Sequence, residues 1–345
     1  MRFAIVPPYL LLRIARLDDP RFAAAAEAAR RAVVEDLPFR THREQVVDGP
    51  PVVPAPGATI HRIVSDAQNV QTVPGTRVRG EGEVAVADVA VNEAYDGLGC
   101  TYKLYHDVYG RASIDGKNMP LLATVHYGKD YDNAFWDSRQ LVFGDGDGQI
   151  FNRFTASLSV IGHELTHGVT QYTANLVYRG QSGALNESVS DVFGALVEQY
   201  AHQESAEEAS WLIGDGLFTD EVEGTALRSM KRPGTAYDDD VLGKDPQPAT
   251  MAGYVETDDD NGGVHLNSGI PNHAFYLVAT AIGGVAWEKA GRIWYNTLTA
   301  GTLAATSDFR QFAMATLSTA TQCYGADSAE HRAVADAWDA VGVTR

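Results

Sequence analysis

Cysteine is almost missing from this chain: Cys100 and Cys323 are the only two in 345 residues. They lie far apart in sequence, so a single bridge stays open, but a disulfide framework is excluded and the fold does not depend on one. No apolar run approaches the ~18 residues that mark a membrane-spanning helix. Basic residues are few. Lys and Arg total 27 against 45 Asp and Glu, for a net charge of −18 and a pI near 4.9. Such a chain is not expected to bind nucleic acid, and anionic membranes should repel it. The first fifteen residues also lack a secretory apolar core, because Pro7-Pro8 interrupts the run and Arg13 follows it. No classical signal peptide is therefore expected. Internal repeats are not apparent.

What the chain does have is His-Glu-Leu-Thr-His at 163–167, followed after 19 residues by Glu187 within Asn186-Glu187-Ser188-Val189-Ser190-Asp191. Histidines four apart on an α-helix project from one face, about one turn along the axis. Two neutral imidazoles and a carboxylate fill three tetrahedral positions on Zn²⁺ and leave the fourth to water. His163, His167 and Glu187 are thus candidate ligands of one catalytic zinc. Glu164 is placed to take a proton from that water. An apolar stripe of Leu158, Ile161, Leu165, Val169 and Tyr172 can bury this helix without the histidines, leaving them to face a cleft. A second helical pattern covers roughly 186–201, with Val189, Val192, Phe193, Leu196, Val197 and Tyr200 on its apolar side. Glu187 and Asp191 share its other face, where Asp191 can accept a hydrogen bond from a ligand imidazole.

Other zinc hydrolases of this motif fit poorly. A metzincin would carry Gly at 170 and His at 173, and both positions are Thr. A His-Glu-x-x-His aminopeptidase typically sets its glutamate one residue closer and carries a Gly-x-Met-x-Asn segment, absent here. Six blocks in order instead give a resemblance to the thermolysin-like zinc metalloendopeptidases from about Ile60 onward. They are Val91-Asn92-Glu93-Ala94-Tyr95-Asp96, Tyr131-Asp132-Asn133-Ala134-Phe135-Trp136, Phe143-Gly144-Asp145-Gly146-Asp147-Gly148, residues 163–191, Leu227-Arg228-Ser229-Met230, and the run from Asp260 to Gly269 that contains Asp260-Asn261-Gly262-Gly263-Val264-His265.

The resemblance implies roles residue by residue. His163, His167 and Glu187 correspond to the zinc ligands, Glu164 to the general base, and Asp191 to the carboxylate that orients a ligand histidine. Tyr178 and His265 match the two donors to the oxyanion, and Asp260 the carboxylate that polarises His265. Asn133 and the backbone of Ala134 resemble groups that pair with the substrate main chain as an added strand. Arg228 resembles the arginine bonding the substrate carbonyl just beyond the scissile bond. Phe151, Phe154, Val160, Ile213 and Leu227 fall at or near the lining of the prime-side pocket, which implies a preference for a bulky hydrophobic residue after the cut. The implied activity is endoproteolysis of protein or peptide substrates. Against the alternative, a non-catalytic zinc-containing peptide-binding protein, stand Glu164, Tyr178 and His265, for which a binder has no need.

Two departures qualify this resemblance. Ser159, Ser210 and Leu212 stand where the large family members carry calcium-binding carboxylates, and only Glu198 and Asp215 remain. Ca²⁺ takes six to eight oxygens, so a weakened or absent calcium site is expected. The acidic runs 238–240 and 258–260 read as solvated loops. At the N-terminus, Pro7-Pro8-Tyr9-Leu10-Leu11 resembles the start of the short pro-segment of protealysin-type relatives, followed by an alanine-rich helical pattern at about 20–35. Residues 1–50 are expected to be an inhibitory propeptide acting on its own enzyme, and 51–57, within a Pro/Gly-rich link, a processing zone. The fold class expected is α+β, two-lobed and thermolysin-like. Residues 58–153, including an alternating segment at Glu83–Val91, form a β-rich lobe. Residues 154–345 form a mainly helical lobe ending in an amphipathic stretch at Ser328–Val341, with the zinc site in the cleft between lobes. Family resemblance implies secretion, while the missing signal peptide allows a cytoplasmic start; a monomer is compatible with the sequence, which leaves oligomeric state open.

Overall fold

The computed structural model describes residues 3–41 and 60–344. The expected processing zone at 51–57 and the propeptide boundary at 50 lie outside the described residues. The chain opens with strand β1 (Phe3–Ala4), helix α1 (Pro8–Ile14) and helix α2 (Ala23–Thr41). Pro8 occupies the first helical turn of α1, where a missing N–H costs nothing. Leu10, Leu11 and Ile14 are buried.

The first lobe follows. It comprises β2 (Arg62–Asp66), β3 (Thr76–Gly80), α3 (Val89–Lys103), β4 (Leu121–Val125), β5 (Ala134–Trp136) and β6 (Leu141–Phe143). Together with β1 these strands make a mixed six-stranded sheet in the order β1-β5-β6-β4-β2-β3. The pairs β2/β4 and β4/β6 are parallel; β5/β6 and β1/β5 are antiparallel. Among the described residues β5 would end the sheet if β1 were absent.

The expected strand at Glu83–Val91 is not formed. Val84 is 85% exposed, so the alternation there has no face to bury. Asp88 instead caps α3, its side chain accepting from the Val91 N–H at 3.2 Å, and a helix starts at Val89. The lobe is therefore sheet plus the helix α3 rather than strands throughout.

The second lobe carries α4 (Leu158–Gln171), α5 (Gly180–His202), the short pairs β7 (Leu212–Ile213) with β8 (Arg228–Ser229) and β9 (Asp238–Asp239) with β10 (Gly243–Lys244), then α6 (Asp260–Asn267), α7 (Gly269–Ile282), α8 (Ala290–Thr299), α9 (Phe309–Tyr324) and α10 (Ala329–Ala340). Ser328 caps α10 through the His331 N–H, as the Ser328–Val341 pattern predicts. Trp294 anchors this lobe, packing on Phe275, Phe312 and Trp338 with centroids 5.0–6.2 Å apart. Both cysteines are free.

Helix α4 lies between the lobes and its residues 159–170 are buried. The stripe holds for Ile161, Leu165 and Val169. Tyr172 departs from it: α4 stops at Gln171, Tyr172 is the residue that ends it, and its side chain turns outward at 41% exposure. Helices α4 and α5 touch backbone to backbone. A Cβ on Gly162 would lie 3.0 Å from the Gly194 Cα, and one on Gly194 would lie 2.5 Å from the Ser159 carbonyl oxygen. Only glycine fits at this crossing, and the close approach sets the histidine and glutamate helices side by side.

One ion cluster ties the first lobe together. His126 places Nε2 2.8 Å from Asp88 and Nδ1 2.8 Å from Asp145. The hydrogen bond to Asp145 raises the imidazole to about 9, against the pull of partial burial, with Asp88 adding to the rise. The folded ring keeps its proton up to about pH 9, whereas the unfolded side chain loses it near 6.5. This stabilisation is complete below about pH 6.5 and is lost as pH rises through 9. After discounting for solvent screening it is worth about 1–2 kcal/mol. Urea midpoints measured from pH 6 to 10 should fall more steeply for the parent than for His126→Gln; parallel curves would remove the cluster from the stability account.

Candidate metal centre and active site

Periodicity sets the first two groups. His163 and His167, one turn apart on α4, lie with ring centroids 4.7 Å apart and are essentially unexposed. Each ring uses Nδ1 to hold its orientation. His163 Nδ1 donates to Asp191 Oδ1 at 2.8 Å, and His167 Nδ1 to Asn186 Oδ1 at 2.8 Å. Those bonds assign the ring protons to Nδ1, so the two Nε2 lone pairs face each other across 3.0 Å. Burial and the facing His163 ring hold His167 well below the ordinary imidazole range, which keeps it neutral. Glu187 on α5 brings its carboxylate within 3.5 Å of both Nε2 atoms. Its Oε2 is buried with no hydrogen-bond partner. Two opposed lone pairs and an orphaned carboxylate oxygen lack only a cation. His163, His167 and Glu187 can each offer a ligand atom within 4.8 Å of the others, the one such group among the described residues. Nitrogen and oxygen donors in this number fit zinc.

Glu164, beside the first of these histidines in sequence, is held separately. Its Oε2 accepts the Trp136 N–H at 2.9 Å, and its buried Oε1 has no partner. Burial, and then the Glu187 charge, push its carboxyl well above the usual carboxylate range. A carboxyl with raised proton affinity and a free oxygen is suited to carry a proton.

Tyr178 and His265 converge on the same point from loop and α6. The Tyr178 hydroxyl donates to Glu187 Oε1 and lies 3.3 Å from His265 Nε2. His265 owes its place to its local sequence. Asp260, Asn261, Gly262 and Gly263 run consecutively left-handed, with φ of 52, 54, 87 and 70°, before a right-handed turn begins at Val264. Two glycines with Asp and Asn are the residues that tolerate this. The turn brings Asp260 back onto His265, with Oδ2 accepting its N–H at 2.9 Å and Oδ1 2.7 Å from Nδ1. Although burial opposes it, the Asp260 and Glu187 charges raise the His265 imidazole. The acidic run 258–260 is therefore more than solvated charge, since Asp260 is built into the site.

Arg228 is fully buried and forks onto Asp191, Nε to Oδ2 at 2.9 Å and Nη2 to Oδ1 at 2.8 Å. Asn272 adds a third donor to Oδ2 at 2.8 Å. Arg228 dominates in holding the Asp191 carboxyl below its ordinary value despite burial, with His163 reinforcing it. Phe151, Phe154, Val160, Ile213 and Leu227 are all buried. Phe151 and Phe154 pack at 5.7 Å, and the Leu227 N–H donates to the Ile213 carbonyl across the β7/β8 pair.

The cleft holds the chain's own N-terminus. Strand β1 runs antiparallel to β5, with Phe3 opposite Trp136 and Ala4 opposite Phe135. The Ile5 N–H donates to the Ala134 carbonyl at 3.1 Å, and the Val6 N–H to Asn133 Oδ1 at 2.9 Å. Arg228 Nη1 donates to the Ile5 carbonyl at 3.0 Å, and His265 Nε2 lies 3.0 Å from the Ala4 carbonyl oxygen. From α2, Asp36 takes hydrogen bonds from the Asn133 amide at 3.1 Å and the Tyr131 hydroxyl at 2.7 Å.

Comparison with known proteins places this arrangement. Residues 58–171 match the family described as thermolysin metallopeptidase, catalytic domain, and residues 174–343 its alpha-helical domain. The chain belongs to the thermolysin metallopeptidase family. It is 49% identical over 342 residues to an extracellular metalloprotease of Pectobacterium carotovorum subsp. carotovorum, covering 99% of this chain and 96% of that one. It is 52% identical over 287 residues to Protease PrtS of Photorhabdus sp., covering 83% and 77%. The solved structure of the precursor of protealysin, a metalloproteinase from Serratia proteamaculans, superposes with a TM-score of 0.90 at 49% identity, covering 99% of both chains. The fold is thermolysin-like, with a sheet-rich N-terminal and a helical C-terminal part, and the protein is a zinc endopeptidase made as a proenzyme.

Sequence reasoning missed Asn186, Asn272 and Asp36. Asn186 adjoins Glu187 and its i−1 place was visible; Asn272 and Asp36 act only through packing. The Arg228–Asp191 pair was likewise not foreseen, and both of its side chains are fully buried. In this thermolysin-family site Asp191→Ala would leave the Arg228 guanidinium without a counter-charge. Unfolding free energy in urea is expected to fall by about 3–5 kcal/mol, and zinc affinity by roughly 10–100-fold in competition with a chromogenic chelator. Unchanged affinity would show that Asp191 does not orient His163.

Proposed function

We propose that Nε2 of His163, Nε2 of His167 and the Glu187 carboxylate hold one zinc ion, and that Glu164 is the general base of peptide hydrolysis. The observation that carries this is the convergence of two opposed imidazole lone pairs and an orphaned carboxylate oxygen beside a second buried carboxylate with a free oxygen. Zinc so held would polarise a carbonyl and make a water acidic near neutral pH. Glu164 takes the proton of the attacking water at Oε1 and later gives it to the leaving amide nitrogen. Its Oε2 stays fixed by the Trp136 N–H, so the carboxylate need not reorient between the two transfers. The Tyr178 hydroxyl and His265 Nε2 donate to the oxygen that gains charge, and Asp260 keeps the His265 ring turned toward it. Asp191 and Asn186 hold the ligand rings.

Substrate binding follows from the groups that now hold residues 4–6. Asn133 and Ala134 take the main chain as an added strand, and Arg228 takes the carbonyl of the residue after the cut. Phe151, Phe154, Val160, Ile213 and Leu227 make the prime-side surroundings apolar, which favours a bulky hydrophobic residue there. The burial of Ile5 is in keeping with that preference. The substrates are proteins or peptides. Residues 1 to about 50 are the inhibitory propeptide, acting on the same chain by filling the cleft, and the 51–57 zone is where it is cut away.

Calcium has little part in this reading. Ser159, standing where the large family members carry a carboxylate, brings no charge and accepts the Gly214 N–H at 3.1 Å. Export is supported by the relative named as an extracellular metalloprotease; no described helix is long and apolar enough to cross a membrane.

Cleavage of a quenched peptide with Leu or Phe after the scissile bond tests the core of the proposal. Activity should stop with 1,10-phenanthroline, return with Zn²⁺, survive a calcium-selective chelator, and be absent in Glu164→Gln. Tyr178→Phe should lower kcat by roughly a hundredfold. A Glu164→Gln enzyme that retains activity would sink the base assignment. For the propeptide, Asp36→Ala removes the carboxylate that accepts from the Asn133 amide at 3.1 Å and from the Tyr131 hydroxyl at 2.7 Å. Hydrolysis by the unprocessed chain should then rise about tenfold or more, at ~1.4 kcal/mol per factor of ten; latency equal to the parent would show that α2 does not help hold the cleft closed.

A further inference from the structure

Blocking a protease cleft does not require presenting it with a peptide bond. A segment running in the opposite direction, or one meeting the ligands with a side chain, would inhibit without being cut. The N-terminus here does neither. We propose that the Ala4–Ile5 bond is a self-cleavage site, hydrolysed by the active site it occupies, at a point separate from the processing zone near residue 50. The proposal rests on the endopeptidase reading above.

Four main-chain contacts fix the register around this one bond. On its acyl side, Ala4 pairs with Phe135 in the added strand and offers its carbonyl oxygen to His265 Nε2 at 3.0 Å. That nitrogen is itself 3.3 Å from the Tyr178 hydroxyl and 3.5 Å from Glu187 Oε2. The Ala4 carbonyl thus rests on one of the two proposed oxyanion donors, the one that adjoins both Tyr178 and the ligand Glu187. On the leaving side, the Ile5 N–H is held by Ala134, the Ile5 carbonyl by Arg228 and the Val6 N–H by Asn133, at 2.9–3.1 Å. Ile5 and Val6 are completely buried, so the residue following the bond is apolar and bulky. A bond oriented and anchored on both sides in this way has the positioning that hydrolysis needs. Water adds across it, oxygen to the Ala4 carbonyl carbon and a proton to the Ile5 nitrogen, with no other reactant required.

The two sides are held unequally, which decides what the cut does. The segment ending at Ala4 is attached by the β1 pairing and the His265 contact. The segment beginning at Ile5 continues into α1, whose Leu10, Leu11 and Ile14 are buried and whose Arg13 donates to the carbonyls of Val241 and Asp240 at 2.9 Å each. Hydrolysis therefore releases the short acyl side and leaves Ile5 onward seated as a retained product. The half of the cleft before the scissile position opens while the half after it stays filled. Trimming makes the proenzyme ready without yet making it active.

The experiment uses the full chain of residues 1–345, purified zinc-free and then given Zn²⁺, with N-terminal sequencing and intact mass as readouts beside hydrolysis of an added peptide. The propeptide of the parent is expected to begin Ile-Val-Pro-Pro soon after zinc is added, at a rate unchanged over tenfold dilution. Glu164→Gln should keep the residues before Ile5. Ile5→Asp, which sets a carboxylate in a fully buried place, should trim at least tenfold more slowly. Its peptidase activity should equal the parent's once residues 1 to about 50 have been removed, which shows that the variant folds. A parent chain that retains residues 1–4 while its mature form cleaves added peptide would overturn the self-cleavage site alone. Trimming that slows in proportion to dilution would overturn its intramolecular form. A chain that neither trims nor cleaves peptide after removal of the propeptide would overturn the endopeptidase reading and this one with it.

Discussion

A single carboxylate buried at the junction of the lobes sets the conditions for the rest of the site. Asp191 is fully enclosed, and an ion in that place is tolerated only with a partner of opposite charge and every lone pair engaged. Arg228 gives it two donors, Asn272 a third and His163 a fourth. Three segments of the helical lobe and the zinc helix are therefore tied to one point. The charge is not there to stabilise, since apolar packing would serve that end as well. What it secures is the tautomer and direction of His163, and the position of an arginine whose remaining nitrogen faces the cleft.

That arginine links structure to recognition. Two of its nitrogens are committed to Asp191 and the third holds the Ile5 carbonyl, so it meets a bound chain already oriented. Asn133 is held on both sides only in the proenzyme, where Asp36 of the N-terminal segment takes its amide while its Oδ1 holds Val6. Preorganised donors lose little freedom on binding. The same groups that would bind a substrate main chain therefore bind the N-terminal segment, and the propeptide needs no separate docking surface on the enzyme for its first residues.

Much of this was legible from the sequence where the rule is local. Histidines four apart need only a helix, and the close spacing of His163, His167 and Glu187 follows from two helices that the apolar periodicity reveals. The extent of α10 was equally plain, because the apolar periodicity of Ser328–Val341 needs only a helix to bury it. Glu83–Val91 misled because alternation of Val with polar residues is shared by strands and by exposed extended chain, and only the sheet's extent decides between them. Tyr172 misled because the helix ends one residue before it. Asn272, 81 residues from Asp191, and Asp36, 97 from Asn133, obey no short-range rule. Their roles come from packing, which spacing does not carry.

Strand β1 has a consequence for the folding chain as well as for the finished enzyme. Without it, β5 would present a bare row of backbone N–H and C=O groups at the rim of the sheet, and such rims recruit strands from other molecules. Only three residues long, Ala134–Trp136, the rim is short, yet under the proposed binding mode it must remain open in the mature protease for a substrate to pair there. Supplying the missing strand from the same chain keeps that rim covered for as long as the N-terminal segment stays in place. On this view the N-terminal segment guards against self-association first, and the substrate later takes over its place at the edge of the sheet.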